Sequence, residues 1–318
     1  MGIPLHPDKG EGHPQRPMRK VHPGSQDGHF GRQVHEGLQG LLEQDRGRKI
    51  QEKGESDMAS DVRVRLYFHE SFQDLVEKTI LTHDEKTGKN KVDFNKIVRM
   101  PDELSPDKAP MGEDMRKGLS LYMSGCEKIE VNRYMLKELK KHVKTSLVPL
   151  TFGKVPLDAV SYFRMIGGKE NKEEFQRLFR LGVEQAERIM EHGGANWVDW
   201  RYRNWGTKYN AFDTDVEKGH IDFTVSERPC IEAVRNLSTK LPQIPFAMTY
   251  AEKDFGKQVG FMLVRNDDID QRSSKILYYS ECAIDLGRDL WGIKDRYQFD
   301  TRTKKFVNLS KEETQLNA

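Results

Sequence analysis

The run Asn196-Trp197-Val198-Asp199-Trp200-Arg201-Tyr202-Arg203-Asn204-Trp205-Gly206-Thr207-Lys208-Tyr209-Asn210-Ala211-Phe212 constrains this chain more than any other stretch. It holds three of the four tryptophans, and aromatic and polar residues are nowhere else so densely interleaved. A helical pattern leads up to it, and the sequence after it reads as a small unit of strands and helices.

Patterned sequence begins at Asp61. Val62-Arg63-Val64-Arg65-Leu66-Tyr67-Phe68 alternates apolar and polar residues, as a half-buried strand does. Ser71 to Leu81 follows with Phe72, Leu75, Val76 and Ile80 at helical spacing. A charged turn surrounds Gly88, and Val92-Asp93-Phe94-Asn95-Lys96-Ile97-Val98 reads as a second short strand stopped by Pro101. Past the tryptophan stretch, Lys218-Gly219 predicts a turn and His220 to Val225 alternates with Ile221, Phe223 and Val225 on one face. Cys230 to Leu241 is helical, with Pro229 in its first turn and Pro242 ending it. Pro245–Ala251 and Gln258–Arg265 are two further strands, residues 273–291 a helix, and Tyr297–Phe299 with Lys305–Val307 a closing hairpin.

Strand, helix, then past an insertion two strands, helix and strand is the βαββαβ order of a ferredoxin-like split βαβ sheet, an α+β fold. Residues 58–104 and 195–268 form that domain, with an extra edge strand. Residues 105–194 form a helical insertion, and residues 269–318 a C-terminal helix and hairpin. Within the insertion, helices are expected at Asp114–Met123, Asn132–Thr145, Pro156–Met165 and Lys172–Glu191. The last has Phe175, Leu178, Phe179, Ala186, Ile189 and Met190 on one face, Asn171 as its cap and Gly193-Gly194 as its stop. Large side chains on several of these helices predict a self-packed lobe.

Residues 1–57 differ in kind. They carry 10 of the 26 glycines, 5 of the 13 prolines and 5 of the 10 histidines, too little apolar surface to offset chain entropy. The expectation is a disordered leader. Met58-Ala59-Ser60 resembles an ordinary start, and Lys53-Gly54-Glu55 can be encoded by a purine-rich ribosome-binding site, so the leader reads as an over-extended reading frame.

Composition excludes several classes. Hydrophobic residues make up 36% and charged residues 32% of the 318, and the net charge is only +2, which gives no global argument for nucleic acid. Cys126, Cys230 and Cys282 stand far apart, with no C-x-x-C pair for zinc and an odd number for disulfides. No apolar run approaches the roughly 18–20 residues that span a bilayer, and no apolar signal core precedes the domain. A reduced, cytoplasmic protein of a bacterial host cell is expected, without cofactor or membrane partner.

Two motifs carry a resemblance. Val92-Asp93-Phe94-Asn95-Lys96-Ile97-Val98-Arg99-Met100-Pro101-Asp102-Glu103-Leu104, followed by Asn204-Trp205-Gly206-Thr207-Lys208-Tyr209-Asn210-Ala211, resembles the YubB ferredoxin-like domain family. Tyr209 stands where that family's motif has tryptophan. The resemblance covers roughly residues 61–104 and 195–265. It implies the fold and an origin in bacteriophages or conjugative plasmids. The family is of unknown function, so no catalytic residue carries over.

The Trp-Gly-Thr-Lys motif admits two readings. As a binding surface, Trp205 and Tyr209 offer stacking area, Lys208 a charge, and Asn210 a paired donor and acceptor. As structure, Trp205, Thr207 and Tyr209 point into the core with period 2, Gly206 permits close backbone approach and Asn210 fixes a turn. Asp93 or Asn95 is the expected partner of Trp205 or Lys208. Lys137, Lys140, Lys141 and Lys144 form a basic stripe opposite Met135, Leu139 and Val143, which fits either phosphates or solvent. Asp213, Asp215, Asp222, Glu227, Glu252 and Asp254 form no recognisable nuclease constellation, and His69, His83, His142, His192 and His220 offer no i, i+4 ligand pair. The faces opposite the core, His220, Asp222 and Thr224 with Ala247, Thr249 and Ala251, make a poor platform for stacking bases. The expectation is a binding protein of a phage or plasmid with a host or phage protein as partner. Nucleic-acid binding through the basic helix is the first alternative and an enzyme with a carboxylate site the second.

Overall fold

The computed structural model describes residues 61–85, 88–126, 133–151, 172–253, 258–276, 280–293, 297–300, 302 and 305–308. The expected leader, the expected helix at Pro156–Met165 and the cap at Asn171 lie outside them.

The strand β1 (Asp61–Tyr67) is the centre of the main sheet. Its period-2 pattern puts Val62, Val64 and Leu66 in the core, each at most 1% exposed, and turns Arg63 and Arg65 to the other face. On one side β1 pairs antiparallel with β5 (His220–Ser226), and on the other with β6 (Phe246–Glu252). Outside β5 lies β4 (Phe212–Glu217), and beyond β6 follow β7 (Val259–Arg265) and two short strands, β8 (Asp268–Ile269) and β9 (Ser274–Lys275). The order β4-β5-β1-β6, with α1 (Gln73–Ile80) after β1 and α7 (Ile231–Lys240) after β5, is the split βαβ arrangement, extended at one edge.

Four elements differ from the sequence reading. Val92–Val98 is not one strand: β3 (Lys89–Val92) closes a small hairpin with β2 (Leu81–Asp84), and a one-turn helix α2 (Phe94–Ile97) follows. Asp93 accepts from the Asn95 amide as a helix cap, and the i, i+3 spacing then buries both Phe94 and Ile97. The edge strand of the main sheet is instead β4, whose residues are all exposed or half-buried, so no apolar period marks it. Residues 273–291 are not all helical, since Ser274–Lys275 pairs with β7 and the helix α8 spans only Glu281–Leu290. Pro229 lies just before α7 rather than within its first turn.

The face opposite the main core is covered, not open. Cys282, Ala283, Leu286 and Leu290 of α8 pack with Ala251 and Val259 of the sheet in a separate apolar cluster. Thr224, Ala247, Thr249 and Ala251 are buried, and Arg65 joins the layers by pairing with Asp222 at 2.7 Å and with Asp289 of α8 at 2.8 Å. The hairpin β10 (Tyr297–Asp300) with β11 (Lys305–Asn308) forms as read.

The insertion contributes α3 (Glu113–Cys126), α4 (Arg133–Thr145) and α5 (Lys172–His192). These helices make their own cores: Leu119, Leu139, Leu150, Ala186 and Ile189 form one cluster, Leu121 and Leu178 another flanked by Phe175 and Phe179. Met190, read as part of the apolar face of α5, is 42% exposed. Gly118 and Gly182 let α3 and α5 touch through their backbones, since a Cβ on Gly182 would lie 2.1 Å from the Gly118 carbonyl oxygen. The chain then turns at Gly193 (φ 71°) into α6 (Trp197–Asn204), whose cap Asn196 accepts from the Val198 and Asp199 amides.

Candidate functional site

Helical spacing sorts the aromatic stretch into three sides of α6. The i, i+4, i+8 residues Trp197, Arg201 and Trp205 lie along one side. Trp200 points into the core, where its ring meets Trp205 edge-on at 5.8 Å. Asp199 and Arg203 face the insertion.

Trp205 is structural. It is fully buried, its ring lies 5.8 Å from that of Phe94, and its Nε1 donates to the Val98 carbonyl at 3.0 Å. Gly206 follows at φ 80°, where a Cβ would crowd the Ile231 amide at 3.1 Å. That turn breaks any period of two. Thr207 is buried and donates to the Ser226 carbonyl at 2.8 Å, whereas Tyr209, which the period-2 reading puts in the core, is 45% exposed. Asn210 does hold a turn. Its Oδ1 accepts from the Phe94 amide at 2.9 Å and its Nδ2 donates to Asp93 Oδ1 at 2.8 Å. The two motifs thus meet, with Asp93 and the Val98 carbonyl as acceptors; Asn95 instead accepts from the Met100 amide.

What remains at the surface is an aromatic and cationic group. The Arg201 guanidinium carbon sits 4.9 Å from the ring centroids of both Trp197 and Trp205. Lys208 Nζ lies 5.1 Å from the Tyr209 ring, and Tyr209 lies 6.2 Å from Trp197. Arg201 donates through Nη1 to the Lys208 carbonyl at 3.3 Å, while its Nε is buried without a hydrogen-bond partner. Burial pulls the Arg201 pKa below its ordinary value, partly opposed by Tyr209. No carboxylate among the described residues pairs with Arg201 or Lys208, whereas Arg63, Arg65, Arg177, Arg203 and Arg235 each have one. Of the four residues that the sequence offers for a binding surface, Lys208 and Tyr209 belong to this aromatic and cationic group, while Trp205 is buried and Asn210 holds the turn. Trp197 and Arg201 complete the group. Only the helical phase of α6 reveals those two.

On the opposite side of α6, Asp199 is fully buried. It accepts from Ser146 Oγ at 2.7 Å, the Ala195 amide at 3.0 Å and Arg203 Nε at 3.2 Å, and is hydrogen-bonded to His142 Nε2 at 2.7 Å. Burial pushes its carboxyl pKa up, but the bonds from His142 and Ser146 outweigh this and hold it below the ordinary carboxylate range. Arg203 also donates to the His142 carbonyl at 2.7 Å, so the cluster ties α4 to α6. The aspartate is bonded to serine and histidine alike, and no histidine among the described residues is bonded to Ser146, so the order of a nucleophilic triad is not formed.

Lys137, Lys140, Lys141 and Lys144 are all exposed on α4. Of the acidic residues singled out in the sequence, Asp254 lies outside the described residues, and Asp215 and Asp222 are cross-strand neighbours on β4 and β5 that arginines engage separately. Asp215 pairs with Arg63, Asp222 with Arg65, and Glu227 accepts from the Tyr202 hydroxyl. Among the described residues no three His, Cys, Asp or Glu side chains group as metal ligands. Burial raises the Cys230 thiol to about 12, which leaves it without thiolate character at neutral pH. No described helix is long and apolar enough to cross a membrane.

No family model matches the chain, and no curated protein matches it. Among solved structures it is similar to the crystal structure of the protein api92 from Yersinia pseudotuberculosis, which carries the DUF1281 family label. That similarity has 11% identity and a TM-score of 0.30, and covers 69% of this chain and 98% of the other.

Proposed function

We propose that this protein acts by binding, and that Trp197, Arg201, Lys208 and Tyr209 receive a protein partner that presents a carboxylate beside an apolar side chain. The observation that carries the reading is Arg201, a guanidinium held between two indoles with an unpartnered Nε and no carboxylate partner among the described residues. With Nη1 donating to the Lys208 carbonyl and Nε buried, Nη2 is the donor that a partner carboxylate would meet, and such a charge-assisted bond, shielded from water, contributes about 1.5–3 kcal/mol. Trp, Tyr and Arg are also the residue types that carry most of the energy at protein interfaces. The two-motif resemblance supports a role as an accessory protein of a bacteriophage or conjugative plasmid, with a host or phage protein as the target.

Affinity capture from infected or plasmid-bearing cells, identified by mass spectrometry, supplies the partner. Its affinity is then measured for wild type, Tyr209→Ala and Lys208→Glu. The expected result is at least tenfold weaker binding by each variant with an unchanged melting midpoint. Full affinity in both variants would place the interface elsewhere and sink the reading.

A further inference from the structure

We infer that the exposed face of α4 is a contact surface for single-stranded nucleic acid, separate from the protein-binding surface on α6. At 100° per residue, Tyr134, Lys137, Lys141 and Lys144 fall within about an 80° arc, and Arg133 and Lys140 widen it to about 120°. Five cations stand against one acid, Glu138, so α4 has a net charge of +4 in a chain whose total is +2. Charge is therefore concentrated here rather than spread for solubility.

The face differs from the neighbouring helix in how its charges are satisfied. On α5, Arg177 pairs with Glu174 and Asp114, and Arg188 with Glu184. Lys137, Lys141 and Lys144 have no acidic partner among the described residues and reach solvent freely. From Arg133 to Lys144 the row is about 16 Å long, enough for several successive phosphates. Tyr134 stands in the same row at 73% exposure, the most exposed large hydrophobic side chain described. A base can stack on that ring while the lysines follow the backbone, which selects unpaired strands over duplex.

An anionic membrane fits less well. Helices that lie on bilayers insert an apolar face, and the apolar side of α4, Leu136 and Leu139, is already buried within the insertion.

The test uses the full chain and a fluorescein-labelled 15-nucleotide single strand, with duplex and phosphatidylserine vesicles as competing probes. Binding should weaken linearly in log salt. The triple variant Lys137→Ala, Lys141→Ala, Lys144→Ala should lower that slope by about 2, near 0.7 for each lost phosphate contact. Tyr134→Ala should weaken single-strand binding by about fivefold or more with the slope unchanged. All four side chains are exposed, so melting midpoints should match wild type. No oligonucleotide binding at 50 mM salt, an unaltered slope in the triple variant, or binding to vesicles alone would overturn the proposal. Tighter binding to duplex, indifferent to Tyr134→Ala, would overturn the single-strand assignment. Tyr209→Ala must leave oligonucleotide binding intact. If it abolishes it, nucleic acid belongs to the aromatic surface on α6, and both the α4 assignment and the protein partner there fail together. If only the lysine variants matter, the two readings stand or fall separately.

Discussion

Asn210 reaches across 117 positions of sequence to donate to Asp93 at 2.8 Å, and the same carboxamide caps the backbone amide of Phe94 at 2.9 Å. One side chain so fixes the start of α2 against the turn that follows α6. Asn210→Ala leaves the Phe94 amide and one Asp93 oxygen without these partners in a half-buried place, at a cost of about 1–3 kcal/mol. Asn210→Asp should be worse than its size suggests, since two carboxylates would then face each other. Urea denaturation of both variants gives the comparison.

Trp205→Ala should destabilise the domain by about 3–5 kcal/mol, because it removes a fully buried indole and orphans the Val98 carbonyl. Tyr209→Ala, four residues on, should change stability by less than about 0.5 kcal/mol. Thermal melting of the pair reads this contrast directly. Equal losses would mean that Tyr209 packs in solution as Trp205 does.

Asp199 predicts an acid-sensitive joint between the insertion and α6. Its folded-state pKa is depressed, so its contribution is fully present above the ordinary carboxylate value near 4 and is lost as pH falls through that value toward the folded one. At pH 7, Asp199→Asn leaves Arg203 and His142 without their buried anion and should cost about 3–5 kcal/mol. That difference should shrink steadily as pH falls from neutral through the ordinary carboxylate value. Stability curves for both proteins over this range decide it, and a gap that stays constant would rule out the titration.

Gly182→Ala tests the contact between α3 and α5. In an exposed helix interior the change gains up to about 1 kcal/mol. Here the new methyl would meet the Gly118 carbonyl oxygen at 2.1 Å, so the helices must separate and stability should fall by about 1–3 kcal/mol. A melting midpoint raised by the substitution would show that the two helices do not touch.

Much of the fold was legible because its signals are local. Val62, Val64 and Leu66 alternate on β1, as do Ile221, Phe223 and Val225 on β5, and a period of two dictates which face a strand buries wherever it sits. The helices α4 and α5 likewise show their apolar sides in the spacing of Leu139 and Val143, and of Leu178, Ala186 and Ile189. The edge strand β4 was not legible. It buries no side chain, and only pairing with β5 makes it a strand.

The candidate site divides in the same way. Composition marked the tryptophan stretch as the place to look, but which of its residues face solvent depended on where α6 ends. Gly206 at φ 80° stops the helix and turns the chain, which puts Thr207 inside and Tyr209 outside. Trp197 and Arg201 then share a side with Trp205 through helical phase alone. The role of Asp93 as the acceptor for Asn210, and the covering of the second sheet face by α8, depend on contacts between residues far apart in the chain. Local periodicity records how much of a residue is buried; only the packed structure decides against what, because that choice is made by partners the local sequence does not contain.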